Sequence, residues 1–321
     1  MPEDTDLLRA TTALPAPMAA LPSPGGAGMR VAVVAETFLP AVNGVVDSVL
    51  RLVDHLAVRG HDPVVVAPSG SGYESRCGAW IDVATVPSVR VTGYRELSVA
   101  RPAGDLTEIL GALAPDVVHL ASPAVLGLAA ARAARSLGLP SVAVFQPDLA
   151  AYAERYRLPG GPAAAWRYLR SVHETADLTL APSTTTLAML ARHGIGPVTL
   201  WPRGVDLDRS APGHADPDLR REPAPDGELR VGQAVQESPA ADVPALVAAS
   251  GGPFDLVRHG QDGWPWAGDD GHVLAAMVPG LRDDPARLRT AAAHARPSVE
   301  ERIGDELLGH LRHVRTGTRT R

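Results

Sequence analysis

The turn after the first strongly apolar run of the sequence holds Glu36, Pro40, Asn43, Gly44 and Val45. Asn43 is a residue type that caps helix N-termini, and Val45, Val46, Val49, Leu50, Val53 and Leu56 follow it at helical spacing. Backbone N–H groups at a helix start, beside a glycine that lets a ligand approach, make a site for an anion such as a phosphate. The same residues also suit an ordinary capped loop, because no G-x-G-x-x-G follows the run. His119 comes after Asp116-Val117-Val118. It is expected at a strand's carboxyl end, the edge where α/β sheets bind ligands, either for acid–base work or as a structural ring. Gln146 and Asp148 are expected at the end of the next strand, as substrate contacts or as turn residues. Asp206-Leu207-Asp208 has the spacing of an acidic metal pair but lies in a Pro-rich stretch that reads as a solvated loop. His173-Glu174 lacks the second histidine of a zinc-protease helix, and no G-x-S-x-G elbow occurs. Tyr152, Arg155, Tyr156, Arg157, Trp166, Arg167, Tyr168 and Arg170 cluster with Glu154 as the only acid among them. Arginine with Tyr and Trp suits an anionic lipid surface; an ordinary helix face is the alternative.

These residues need a scaffold, and the apolar pattern supplies one. Arg30 to Ala35 is a nearly unbroken apolar run, as in a strand buried on both faces of a parallel sheet. Further strands are expected at Val64–Ala67, Ile81–Val86, Val117–Leu120, Val142–Phe145, Leu178–Ala181 and Val198–Trp201. Helices fall between them: one ended by Gly60, then Leu106–Leu113, Pro123–Leu137 stopped by Gly138, Ala163–Ala176, and one capped by Ser183 that stops at Gly194. The alternation predicts a doubly wound Rossmann-like α/β domain over 29–205. Residues 1–28, rich in Pro, Ala and Gly, read as a disordered leader, and 206–227 as a linker. Residues 228–321 read as a second, reduced α/β domain with a strand at Val243–Ala248, a glycine turn at Gly251-Gly252-Pro253, and helices at Pro285–His294 and Ser298–Val314.

Composition removes several function classes. All 30 basic residues are arginine, so a Walker A loop, a Schiff base and a lysine general base are excluded. A net charge of −6 argues against a nucleic-acid partner. A lone cysteine, Cys77, excludes a disulfide framework and a Cys-rich zinc site, and fits a cytoplasmic location. No apolar run is long enough to span a membrane.

The stretch from Val34 to Val49, with its Glu36-Thr37-Phe38-Leu39-Pro40 and Asn43-Gly44-Val45 segments, resembles the N-terminal domain of glycosyltransferase family 4. Asp116-Val117-Val118-His119-Leu120-Ala121-Ser122-Pro123, Val144-Phe145-Gln146-Pro147-Asp148, Leu180-Ala181-Pro182-Ser183-Thr184 and Arg203-Gly204-Val205-Asp206 extend it, nearest to actinobacterial nucleotide-sugar-dependent α-mannosyltransferases that build glycolipids. The resemblance implies a GT-B fold and a retaining hexosyl transfer, with GDP-mannose as donor substrate, a lipid or glycolipid acceptor, and no metal or other cofactor. The arginine–aromatic cluster between Tyr152 and Arg170 adds an expected peripheral contact with the inner face of a membrane. By the resemblance, His119 and Asp148 become the catalytic candidates; Asn43, Gly44, Arg203, Glu237, Gly251 and Gly252 face the donor; Glu36, Gln146 and Tyr152 lie on the acceptor side. The resemblance also makes Asp206 part of an interdomain segment rather than a metal ligand.

In the second domain Gly227 to Gly232 resembles the first strand, and Gln233 to Glu237 resembles a segment that lies far downstream in the family. The family's Gly-Arg-Leu…Glu-Lys block, whose basic residues neutralise the donor diphosphate, is missing between them, as is the first of two paired glutamates. An internal deletion through the donor domain follows, and with it impaired transfer. Arg203 and Arg258, each beside a glycine turn, are the candidate replacements for the missing cations. The alternative is a catalytically degenerate homologue that binds a lipid or a protein.

Overall fold

A computed structural model describes residues 28–90, 98–100, 105–122, 124–146, 149–155, 157, 160–201, 211–214, 241–248, 257–266, 271–300 and 306–316. Seven parallel strands form one sheet in the order β11-β10-β9-β8-β1-β2-β5. They are β1 (Arg30–Val34), β2 (Asp62–Ala67), β5 (Val83–Thr85), β8 (Val117–Leu120), β9 (Ser141–Val144), β10 (Leu178–Ala181) and β11 (Val198–Leu200). The order reverses at β1, so the gap between the ends of β1 and β8 is the switch point at which such sheets take ligands. The α/β class is therefore as the apolar pattern implies.

Helices cover both faces because each central strand is apolar on both. On one face α1 (Gly44–Val58) packs Val49, Val53 and Leu56 onto Val31, Val33, Val65 and Val117. On the other, α2 (Asp105–Leu113) and α3 (Val125–Leu137) pack Leu106, Leu110, Leu126 and Ala130 against Ala32, Val34, Val64 and Val118. Towards the β11 edge, α5 (Gly161–His173) and α6 (Thr184–Arg192) enclose Phe145, Leu169 and Leu190. A short α4 (Leu149–Arg155) precedes α5.

Local signals set most boundaries. Asn43 caps α1, Ser183 caps α6 through the Thr186 N–H at 3.1 Å, and Gly60, Gly138 and Gly194 take the left-handed conformation just after helix ends. The expected strand Ile81–Val86 is divided. β4 (Trp80–Ile81) pairs antiparallel with β3 (Tyr73–Glu74), and only β5 joins the main sheet. A second antiparallel pair, β6 (Ser88–Arg90) with β7 (Ser98–Ala100), carries no apolar run that would announce it.

Beyond the sheet, β12 (Ala245–Ala248) and β13 (Gly263–Trp266) form a two-stranded parallel sheet with Val257 against Ala245 and Val247. A Cβ at Gly263 would run into the Ala245 carbonyl oxygen, so the close strand approach requires glycine there. Trp264 is buried against Leu281 of α7 (Gly271–Arg282) and Ala291 of α8 (Pro285–Glu300), with Arg287 over its ring at 5.2 Å. α8 runs on past the expected stop at His294, and the helix expected from Ser298 is instead α9 (Glu306–Thr316). α9 returns to the first sheet, lying against β8 and β9. Its Leu311 is fully buried in the same cluster as Val31 and Val117, and Arg315 reaches Asp116 at 3.5 Å.

Candidate functional site

β1 ends at Val34 and delivers Glu36 to the switch point. The Glu36 N–H donates to Ser122 Oγ at 3.3 Å, and its Oε1 accepts from the Gly127 N–H at 3.0 Å, with Leu126 N–H as a further donor. Those amides belong to the first turn of α3, whose own N-cap position is Ala124 and makes no side-chain cap. A carboxyl group from the loop after β1 therefore caps this helix. A Cβ at Gly127 would lie 2.6 Å from the Ser122 carbonyl oxygen, so the turn closes only around glycine. Tyr168 of α5 donates to the Ala124 carbonyl at 2.9 Å. Burial pushes the Glu36 carboxyl up to about 7 despite its amide donors, which pull the other way. Burial, then the nearby Glu36 charge, pushes Tyr168 up to about 12.

Further along the loop, Asn43 Oδ1 accepts from both Val45 and Val46 N–H at 3.0 Å, while its Nδ2 donates to Thr37 Oγ1 at 3.3 Å. Asn43 thus takes up two of the amides that an anion would otherwise use. Gly44, at the first position of α1, is exposed, and a Cβ there would meet nothing within 4 Å. Asp47, one turn on, is paired with Arg51 at 2.7 Å, which offsets the negative charge nearest the helix start.

His119 lies at the carboxyl end of β8, inside the strand. It is the third residue of β8, paired with Val33 on one side and Val142 on the other, because the ladder continues as long as both neighbours run alongside. Its ring is 2 % exposed, Nδ1 has no hydrogen-bond partner, and burial pushes its pKa down to about 4, so the imidazole is neutral at pH 7. Gln146 follows β9, buried, with Oε1 also unpartnered. Two unsatisfied polar atoms thus lie at one end of the sheet and within it, each a costly feature for a folded chain.

Asp148, Arg203, Glu237, Gly251 and Gly252, with Asp206 and Asp208, lie outside the described residues. Tyr152 is on α4. The Arg258 N–H donates to buried Asp262 Oδ1 at 2.6 Å in the turn before β13. Of the arginine–aromatic cluster, Trp166 stacks between Phe145 at 6.3 Å and His193 at 3.6 Å, and Arg170 donates to the His193 carbonyl at 2.7 Å, closing the end of α6. Arg157 and Arg167 are exposed. Gly127 was not singled out from the sequence, Ser122 entered only within the 116–123 motif, and Tyr168 was read only as part of the arginine–aromatic cluster. The one available signal was a helix start at Ala124 without a capping residue. Among the described residues no group of three or more His, Cys, Asp or Glu is arranged to hold a metal ion.

Residues 42–209, which contain Asn43, Gly44, His119 and Gln146, match the family model Glycosyltransferase Family 4. The chain belongs to glycosyltransferase family 4. It is 45 % identical over 221 residues to a GDP-mannose-dependent alpha-mannosyltransferase of Mycolicibacterium smegmatis, covering 68 % of this chain and 59 % of that one. A GDP-mannose-dependent alpha-mannosyltransferase of Corynebacterium glutamicum is 42 % identical over 205 residues, covering 63 % and 50 %. The chain thus spans between one half and three fifths of the length of these relatives. A glycosyltransferase from Rickettsia africae superposes with a TM-score of 0.65 at 12 % identity, over 91 % of this chain and 100 % of that one. The fold of this family 4 member is of the GT-B type, consistent with that likeness.

Proposed function

We propose that this family 4 protein is a hexosyltransferase that takes mannose from GDP-mannose, with retention of configuration, and gives it to a lipid or glycolipid acceptor. The observation that carries the reading is the 42–45 % identity to GDP-mannose-dependent alpha-mannosyltransferases. In this reading the diphosphate approaches Gly44, where space is open and α1 presents the positive end of its dipole. Neutral His119 and buried Gln146 supply hydrogen bonds rather than charge, with Asp148 on the acceptor side. Departure of GDP builds negative charge on the diphosphate, and preorganised cations supply most of the stabilisation. The chain has no lysine, so Arg203 or Arg258 takes that part. No helix among the described residues is long and apolar enough to cross a membrane, and Arg157 and Arg167 are offered as the contact with an anionic inner leaflet from the cytoplasm.

The absent Gly-Arg-Leu…Glu-Lys block favours a second reading, in which the donor binds but turns over slowly or not at all. Loss of one transition-state donor typically costs about 10²–10³ in rate. Calorimetric titration with GDP-mannose and with GDP, followed by a transfer assay on a lipid acceptor, separates the two. Binding with turnover below about 1 per second fits the impaired enzyme. Turnover at ordinary rates overturns the impairment, and no binding of either nucleotide overturns the proposal.

A further inference from the structure

Glu36 was expected beside the acceptor, yet its carboxylate faces protein amides. Four contacts converge on this point: the Glu36 N–H on Ser122 Oγ, the Gly127 and Leu126 N–H groups on the Glu36 carboxylate, and Tyr168 OH on the Ala124 carbonyl. Together they tie the exit of β1 to the start of α3, across 91 positions of sequence between Glu36 and Gly127. The segment that leaves this tie carries Thr37, whose hydroxyl accepts from Asn43, and Asn43 in turn sets the first turn of α1 at Gly44. Two sets of hydrogen bonds, joined through the Glu36–Thr37 peptide, therefore connect α3 to the open backbone position at Gly44.

From this geometry we infer that Glu36 is a positioning residue: by clamping the β1 exit onto the first turn of α3, it holds the Thr37–Asn43 loop so that Gly44 is presented to the donor diphosphate. The inference rests on the proposed donor site. Its physical logic is preorganisation. A loop held in its bound conformation loses little freedom when the ligand arrives, whereas a loop tethered only at its α1 end must be ordered by the ligand. The Glu36 side chain suits the task because its oxygen accepts an amide at the start of α3 with or without the proton, and its partial burial limits the water that would compete for that amide. Removing it leaves that amide without an acceptor.

The test compares Glu36→Ala and Glu36→Gln with Ser183→Ala, which removes the α6 cap at a distance from the loop. Hydrogen exchange followed by mass spectrometry reads the clamp directly, with no ligand needed. In Glu36→Ala, exchange rises at Leu126–Gly127 and also over 37–45. In Glu36→Gln, whose amide oxygen still accepts, the rise is smaller at both places. Ser183→Ala raises exchange at α6 alone. Calorimetry with GDP then reads the consequence: roughly tenfold weaker binding in Glu36→Ala, the factor that about 1.4 kcal/mol produces, partial rescue in Glu36→Gln, and no change in Ser183→Ala. If exchange rises at Leu126–Gly127 while 37–45 and GDP affinity stay as in the wild type, Glu36 is only a helix cap and the inference fails. If the wild type binds neither GDP nor GDP-mannose, the proposed donor site is what fails. The exchange of 37–45 still decides the clamp in that case.

Discussion

Acid should unfold this protein partly through His119, and replacing that one residue should remove a defined share of the sensitivity. The ring is buried inside β8, has no partner for Nδ1, and titrates at about 4 instead of 6.5. A histidine whose folded-state pKa is lowered contributes stability that is full above 6.5 and is lost as pH falls towards 4. A shift of that size sets the limit at about 3 kcal/mol, most of which is gone by pH 4.5. Other groups act in the same window. His173, also titrating at about 4, adds a loss of similar size, while Glu36, raised to about 7, has the opposite sign and favours the folded state as pH falls from 7 to 4.5. The wild-type curve alone therefore cannot isolate His119, but a difference can. Urea unfolding of wild type and His119→Leu at pH 7.5 and pH 4.5 gives four stabilities. The variant should lose about 2–3 kcal/mol less than the wild type between the two pH values. Parallel losses in the two proteins, to within about 0.5 kcal/mol, would refute the assignment of a buried neutral ring at this position.

Two further outcomes follow from other parts of the fold. Leu311→Ala should cost about 2–5 kcal/mol, because the side chain is fully buried in the core of the first sheet; urea unfolding measures the cost, and α9 should become protease-sensitive first. If the membrane contact holds, the Arg157→Ser/Arg167→Ser pair should lose roughly tenfold or more in co-sedimentation with phosphatidylserine vesicles, at about 1 kcal/mol per arginine. Arg170→Ser should instead lower the melting temperature and leave vesicle binding intact, since that arginine serves the His193 carbonyl.

The parallel strands were readable because burial on both faces writes itself as an apolar run, as at Val117–Leu120 and Leu178–Ala181, which match residue for residue. Helix ends were readable where chemistry is local, as at Asn43, Gly60 and Ser183. Legibility failed where the partner is remote. Nothing in Ile81–Val86 reveals that Ile81 pairs with Tyr73 while Val83 pairs with Val65. Strand β13 contains Pro265 between two tryptophans, a composition that argues against a strand until a two-stranded edge accommodates it. In the candidate site, Asn43 was legible as a cap, whereas the partner of Glu36 lies 91 positions away and sequence spacing is silent about it. His119 falls where the apolar run Val117–Leu120 puts it, at the carboxyl end of β8; what spacing does not reveal is that its ring is buried with Nδ1 unpartnered.

The return of α9 to the first sheet sets an order of events during synthesis. Residues of β1, β8 and β9 such as Val31, Val117 and Val142 share a core cluster with Leu311, which is translated after the whole of the second sheet. Until that helix has left the ribosome, the sheet has every strand it needs but lacks part of one wall, and the apolar side chains beneath stay open to water and to other chains. A product broken off before α9 would carry this patch permanently and present itself to chaperones and proteases as incomplete. The last described helix thus acts as a seal on the first domain, reporting that the intervening chain has been made.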